Sequence, residues 1–559
     1  MRIVPRAHLN SAYSRLWAQL QARRAVPFAR LTLLGKPAVE PTSRGEERIG
    51  VLRLVTTTRP SCMGMLLFVL CVCLGPAANA EAGQLRAGAA KVDITNTEAG
   101  PVNDPLYVKA LVLENDEATA CIITVDAVAI AEIGSIGGDY LKTVRATLEQ
   151  DLGIAPAGVL INASHCHGVV CSDVAERTIQ AVRQAREKMV PVRVGTGNGH
   201  EDRVQENRRL RLSDGTEVDV RHAYSMPPDE EVVGVGPIDP EIGVLRIDRL
   251  DGDPLAIVYN FACHPIQGVP SRGNTADLTG FASRAIEENA GEKTIALFVQ
   301  GCAGDINPVY YKDVDHPRDA ESLGNLLGLS TLRAVHAINT TDDDRLRALN
   351  ETIALPRADL APRISALESE QQRLVSSLRG TSLNLKTFLP LAVKYNLSRD
   401  YPSYYSHRYL HDRALGRDGL EKLDAENRRN LDAYIRNIHT MENLTRNQTN
   451  LALLRKHQAQ LVEAGSRTID VELVGLRIGD FVLLTFPGEL TVEIGLDLKA
   501  RSPHEHTYIA GYTNGYIYYA PTADQLRNVG RAQEDSDCIL APQWQELFET
   551  KAEEMLGRL

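Results

Sequence analysis

Five apolar runs spread along the chain each stop at a polar tip, and this recurrence constrains the fold more than any other feature. Residues 159–163 lead into Ser164-His165-Cys166-His167-Gly168, and residues 255–262 into Cys263-His264-Pro265. Residues 294–299 lead into a segment from Gly301 to Pro308 that holds Asp305 and Asn307. Residues 481–486 end in Pro487-Gly488-Glu489, and residues 508–511 in a segment from Tyr512 to Tyr519. Short apolar runs bounded by Gly and Pro are buried strands. Ligands of open α/β sheets bind outside the carboxyl ends of strands. Tips bearing His, Asp, Asn, Glu and Tyr therefore predict one shared site.

The intervening segments support an α/β chain. Residues 110–113, 120–126, 243–248 and 468–475 read as further strands, and 139–152 and 172–189 have helical spacing. Asn207-Arg208-Arg209 opens a strand-turn segment, and the Pro-, Gly- and acid-rich stretch 225–240 reads as a loop. Near Leu355 the pattern changes: Ile364, Leu367, Leu374 and Leu378, then Leu431, Ile435 and Ile438, then Leu451, Leu454 and Leu461 mark amphipathic helices. The predicted fold class is α/β, with a mixed β-sheet core, flanking helices and a helical insertion at 356–465. That insertion, which carries Tyr395, Tyr401, Tyr404, Tyr405 and Tyr409, reads first as a packing layer, with a lid or a partner surface as alternatives.

A chain of 559 residues, 43% hydrophobic, has material for a large core. Its net charge of -11 argues against nucleic acid as a partner, because phosphate binding calls for a basic surface. Arg59-Pro60, an apolar core at 66–74 and Pro76-Ala77-Ala78-Asn79-Ala80 form a secretory signal, too short to span a bilayer. Its distance from Met1 points to Met63 or Met65 as the true start. Residues 1–80 are then extension and signal, and the mature chain, beginning near Glu81, is exported to a periplasm or secreted. The alternative is a core segment behind a genuine extension. The six cysteines beyond it, Cys121, Cys166, Cys171, Cys263, Cys302 and Cys538, read mainly as small buried hydrophobes.

If the chain stays extended past Ala163, His165 and His167 point to one side. Such a pair suits one metal ligand and one proton-transfer group; the plainer reading is two surface histidines. Adding His264 and Glu489 gives a common hydrolytic zinc set.

The pieces Ser164-His165-Cys166-His167, Asn207-Arg208-Arg209, Gly236-Pro237-Ile238-Asp239-Pro240, Phe261-Ala262-Cys263-His264-Pro265, Gly304-Asp305-Ile306-Asn307-Pro308, Pro487-Gly488-Glu489 and Asn514-Gly515-Tyr516 follow in that order. Together they resemble the neutral ceramidase family over residues 87–522. The resemblance implies an exported zinc-dependent amidase, with 81–559 as catalytic domain, that cleaves an N-acylated sphingoid base to a fatty acid and a free amine. It implies His165, His264, Glu489 and Tyr519 as ligands of Zn2+, with Tyr518 competing for the last place. It implies His167 as acid/base, Arg208 as a substrate-positioning group, and Asp305 and Asn307 in the catalytic set. The implied partner is a small lipid-like molecule, with peripheral contact to a membrane surface.

The chain departs from the family's pattern. The family carries a serine, assigned as a nucleophile, where this chain has Asn307. An amide cannot be a nucleophile, but it can donate to a developing oxyanion. The family's downstream substrate-side tyrosine is missing from Asn528-Val529-Gly530-Arg531-Ala532. The family's C-terminal sandwich domain is not expected to fit. Two other readings stay open: a metal-dependent hydrolase of another ester, phosphate or sugar-linked substrate, and a non-catalytic binding protein on this scaffold.

Overall fold

The computed structural model describes residues 84–559 except 221–225, 292, 312, 404–405 and 529. The export segment, the start near Glu81, and Tyr404 and Tyr405 lie outside the described residues.

The largest sheet has eight strands. From edge to edge they are Ile295–Gln300, Pro254–Phe261, Glu241–Arg249, Val190–His200, Arg86–Asp93, Tyr107–Glu114, Thr119–Val125 and Val159–Ala163. Its halves join through the pairs Arg86↔Pro191 and Ala87↔Val190, and the sheet folds over at that corner. The two edges meet: Gln300 N–H donates to Asn162 Oδ1 at 2.8 Å. Leu111, Leu113 and Ile122 of one half share an apolar cluster with Leu245, Val258 and Leu297 of the other. Side chains of this size each contribute roughly 1.5–3 kcal/mol when buried. Helices cover the outer faces. Val144, Leu148 and Val182 of Tyr140–Leu152 and Val174–Glu187 pack on one half. Leu278, Ile286 and Leu327 of Asp277–Ala290 and Ala320–Ala337 pack on the other.

A second sheet, ordered Leu346–Pro356, Thr468–Ile478, Phe481–Thr485 and Thr507–Ala510, adds Val474, Leu483 and Ala510 to the central cluster. Parallel pairing places the tips. Val159–Ala163 runs parallel to Thr119–Val125, Pro254–Phe261 to Ile295–Gln300, and Phe481–Thr485 to Thr507–Ala510. Parallel neighbours end on the same side, so both sheets deliver carboxyl ends to one region.

Between Pro356 and Thr468, which pair with each other, lie the helices Ala361–Ser377, Leu385–Leu397, Ser406–Ala414 and Gly419–Ala464. The last has 46 residues, about 70 Å at 1.5 Å per residue. Leu451 and Leu454 of its C-terminal half pack with Leu360 and Leu367. The stretch 225–240 is not loop throughout: Val232–Val235 forms a strand against Arg209–Leu212. Three valines there follow a Pro- and acid-rich flank that masks them in the sequence. The six described cysteines are unpaired, and all but Cys171 are buried.

Candidate metal centre

The chain turns sharply after Val159–Ala163. Ser164 N–H donates to Val125 O and His165 N–H to Ala127 O, each at 2.9 Å. His165 adopts φ 67°, a left-handed conformation that a non-glycine residue keeps only when its surroundings hold it. The chain is therefore not extended here, yet the rings of His165 and His167 still come together. His165 is buried and His167 exposed, their rings 5.6 Å apart at 84°. The cause of the sharp turn is capture of both backbone donors by the 125–127 turn.

Two histidines are anchored alike. His165 Nδ1 donates to Val128 O at 2.6 Å and His264 Nδ1 to Ile306 O at 2.9 Å. A proton fixed on Nδ1 leaves Nε2 as the acceptor nitrogen, the form in which histidine binds metal. His165 Nε2 lies 3.6 Å from Glu489 Oε1 and His264 Nε2 3.1 Å from Glu489 Oε2. The ligating atoms of all three lie within 4.8 Å of one another, and all three residues are buried. Two neutral imidazole nitrogens facing a carboxylate repel unless a cation lies among them. This donor set fits a divalent metal such as zinc.

Glu489 begins a two-residue strand paired with Tyr519–Ala520. Its neighbour Gly304 comes so close that a Cβ there would sit 2.6 Å from Glu489 O. Tyr512 donates its hydroxyl to Glu489 Oε2 at 3.1 Å, and the Tyr516 hydroxyl donates to Oε1. Burial alone would raise the Glu489 pKa. The neighbouring His165 and His264 and the hydroxyl of Tyr516 outweigh it, and the carboxyl sits well below its ordinary range. Burial, then the nearby Arg208 charge, brings His264 down to about 3, so its ring is neutral at neutral pH. Tyr512 and Tyr516, raised by burial and by the Glu489 charge, stay protonated donors.

The other sequence candidates divide. Tyr519 adjoins Glu489 by backbone pairing, and its hydroxyl accepts from Arg208 Nη2 at 3.3 Å. Tyr518 turns away: its hydroxyl accepts from Gln460 Nε2 at 2.9 Å and donates to Glu132 Oε2 at 3.1 Å. Asn307 Oδ1 accepts from Arg208 Nη1 at 3.0 Å, which leaves Nδ2 as the end that meets another acceptor.

Arg208, expected to position substrate, packs inside the wall of the site. It is wholly buried, with Nε 2.6 Å from Glu534 Oε1 and Nη2 on Gly304 O at 2.5 Å. These contacts hold it in the wall behind Asn307 and Tyr519. Asp305, expected in the catalytic set, is buried among backbone and side-chain donors. Its Oδ1 accepts from Val492 N–H at the start of Val492–Arg501, and its Oδ2 from Asn207. It ties three elements together. Tyr512 and Tyr516 stand in the fifth strand tip, Tyr516 within the motif Asn514-Gly515-Tyr516, but the sequence assigns neither a role; the signal for one is a run of tyrosines in a chain with 5% aromatics.

A cavity of about 280 Å³, lined by His167, His264, Asn274, Asp277, Tyr311 and Arg318 among others, opens beside the centre. Burial pushes the Asp277 carboxyl up to about 6. A larger cavity of about 920 Å³ lies between Ala361–Ser377, Gly419–Ala464 and the strand Arg209–Leu212, and no residue of the triad lines it. Chemistry rather than size identifies the smaller one as the mouth of the site.

No family model matches the chain, and no curated protein matches it. Solved structures do. A neutral ceramidase from Pseudomonas aeruginosa superposes with a TM-score of 0.52 at 16% identity, over 86% of this chain and 75% of that one. A ceramidase complexed with C2 superposes with a TM-score of 0.53 at 15% identity, over 85% and 75%. At such identity the likeness speaks for architecture, and the chain has a neutral ceramidase-like fold.

Proposed function

We propose that this protein is a zinc-dependent amidohydrolase that cleaves the N-acyl amide of a ceramide-like lipid. The observation that carries the reading is the inward-facing acceptor set of His165, His264 and Glu489, with both imidazoles locked by backbone carbonyls. The likeness of the fold to ceramidases supports the choice of an amide. These three residues would hold the metal, with Tyr519 as the fourth ligand. When bound, zinc supplies Lewis acidity toward a carbonyl and lowers the pKa of water to about 7.

The chain's own groups do the rest. His167, exposed at the cavity wall, carries a proton to the nitrogen of the leaving amine. Asn307 Nδ2 donates to the carbonyl oxygen as negative charge develops there. Arg208 orients that amide by holding Oδ1. Hydrolysis by water needs no nucleophilic side chain, so the loss of the family's serine is compatible with turnover. Export belongs to the same reading, supported by the apolar core at 66–74 and the small residues ending at Ala80.

The test is metal analysis of the isolated protein with turnover of a panel of N-acyl amides, esters and phosphate esters. The reading expects about one zinc per chain and preference for amides. It also expects loss of both metal and turnover in His264→Ala. Full zinc in that variant, or turnover confined to phosphate esters, would sink it.

A further inference from the structure

The helix Leu385–Leu397 shows its apolar side to solvent. Leu385, Leu389, Val393 and Leu397 recur every four residues and are 59%, 53%, 57% and 83% exposed. Residues at that spacing share one face of a helix. The opposite side fixes the helix in place. Tyr395 is buried and donates to Asp424 Oδ1 at 2.7 Å, and Phe388 stacks on Tyr434 with ring centres 4.6 Å apart. The exposed leucines are thus held outward, on a rigid mount.

The charge around this face is opposite to that of the chain. Between positions 379 and 417 stand seven Lys and Arg against two Asp, in a protein of net charge -11. Lys386 lies on the helix next to the apolar stripe, and Arg399 and Arg408 follow it; all three are exposed. An apolar helix face with basic flanks is the pattern of a helix that lies in a lipid–water interface. Among the described residues, no helix is long and apolar enough to cross a membrane.

We propose that Leu385–Leu397 is a membrane-docking surface that seats its leucine and valine face in an anionic phospholipid bilayer, with the surrounding Lys and Arg on the headgroups. The proposal draws its purpose from the reading above, since a lipid amide resides in such a bilayer.

The test uses the full chain and sedimentation with vesicles of phosphatidylcholine alone or mixed with phosphatidylglycerol. Binding is expected to the mixed vesicles and to fall with salt. Lys386→Glu should lower the partition coefficient at least about fivefold, the worth of one basic residue at an anionic surface. Leu389→Asp should abolish binding. Leu397→Asp, at the most exposed position, should also weaken it, and serves if Leu389→Asp misfolds. Three results overturn the proposal: no binding by the wild type, undiminished binding by folded variants, or a dimer that the variants convert to monomer, which would assign the face to a second copy. Turnover of a soluble short-chain N-acyl amide separates the two claims. Turnover without vesicle binding sinks the surface alone, and vesicle binding without turnover by any preparation sinks the amidase reading alone.

Discussion

Glu489 and Asp424 are both buried carboxylates that accept two tyrosine hydroxyls. Tyr512 and Tyr516 donate to Glu489, and Tyr395 and Tyr409 to Asp424. The difference lies in what else each one faces. Asp424 sits within a run of helices, and its partners are 29 and 15 residues away. Glu489 faces His264 and His165, 225 and 324 residues away, brought in by different strands. The comparison teaches that a tyrosine-held carboxylate is ordinary packing until long-range topology sets acceptors opposite it. Only then does the arrangement call for a cation.

The largest effect that tests this contrast is substitution of each carboxylate by its amide. Glu489→Gln should leave metal content and turnover at background. Asp424→Asn should keep metal and rate per folded molecule, and lose only stability. Metal analysis beside thermal unfolding reads both; metal loss in Asp424→Asn would erase the distinction. Next in size is Asn307→Ala. Removing one oxyanion donor typically costs about 10²–10³ in kcat. An unchanged kcat with a lowered Tm would make Asn307 a turn residue.

The third comparison sets two ion pairs side by side. Arg208 and Glu534 are wholly buried, whereas the side chains of Arg413 and Glu421 are 54% and 48% exposed. Arg208→Leu removes the nearer partner of the buried Glu534 carboxylate, leaving Arg209 Nη2 at 3.6 Å, and should cost about 3–5 kcal/mol. Adding Glu534→Leu should restore much of it, because an apolar pair replaces an ionic one. Arg413→Ala should leave the urea midpoint where it was, since water already screens that pair. Equal losses from both single variants would show that burial is not what separates the regions.

How far the sequence could be read follows the same line. The apolar runs fell within a residue or two of observed strands, because continuous burial leaves a continuous apolar record. Val190–His200 left no such record. Its Gly195, Gly197 and Gly199 are small because Ile338, Asn339 and Ala334 press on them: a Cβ at Gly195 would lie 2.4 Å from Asn339 O. That constraint comes from a segment some 140 residues away and writes no local period. His165, His264 and Glu489 were legible as strand-end residues. The burial of Arg208 was not, because its partner Glu534 lies in a short polar stretch with nothing in the sequence to link them.

Acid stability gives a smaller effect. In the metal-free protein His264 is held at about 3, against about 6.5 when unfolded. Between those values the unfolded chain binds the proton and the folded chain does not, so stability falls as pH drops from about 6.5 toward 3. Glu489, also depressed, adds its own loss below the ordinary glutamate range. Asp126, Asp277 and Asp535, raised by burial to about 6, act in the opposite direction below that pH. The three aspartates keep their surroundings in His264→Gln. Glu489, which His264 helps to depress, contributes only below about pH 4.5, so the difference between the two proteins above that pH isolates His264. The variant's urea midpoint should decline less than the wild type's between about pH 6.5 and 4.5. Parallel profiles would mean that the ring is protonated in the folded chain.

The smallest effect falls at the seam between the two regions. Tyr518 is the residue next to Tyr519, yet its hydroxyl joins Gln460 on the long helix and Glu132 on the body. It takes φ 65°, and that turn of the backbone sends adjacent tyrosines to different places. Tyr518→Phe removes a hydrogen-bonding group from a site beside His457, whose ring lies 4.5 Å away. The expected cost is about 1 kcal/mol, with zinc content and kcat unchanged. Tyr519→Phe should do the reverse, leaving the unfolding midpoint close to wild type and weakening zinc retention against a chelator. The pair therefore tests the assignment of the fourth ligand without touching the histidines. If zinc leaves Tyr518→Phe faster than Tyr519→Phe, the ligand is Tyr518, and the long helix is then part of the metal site rather than a neighbour of it.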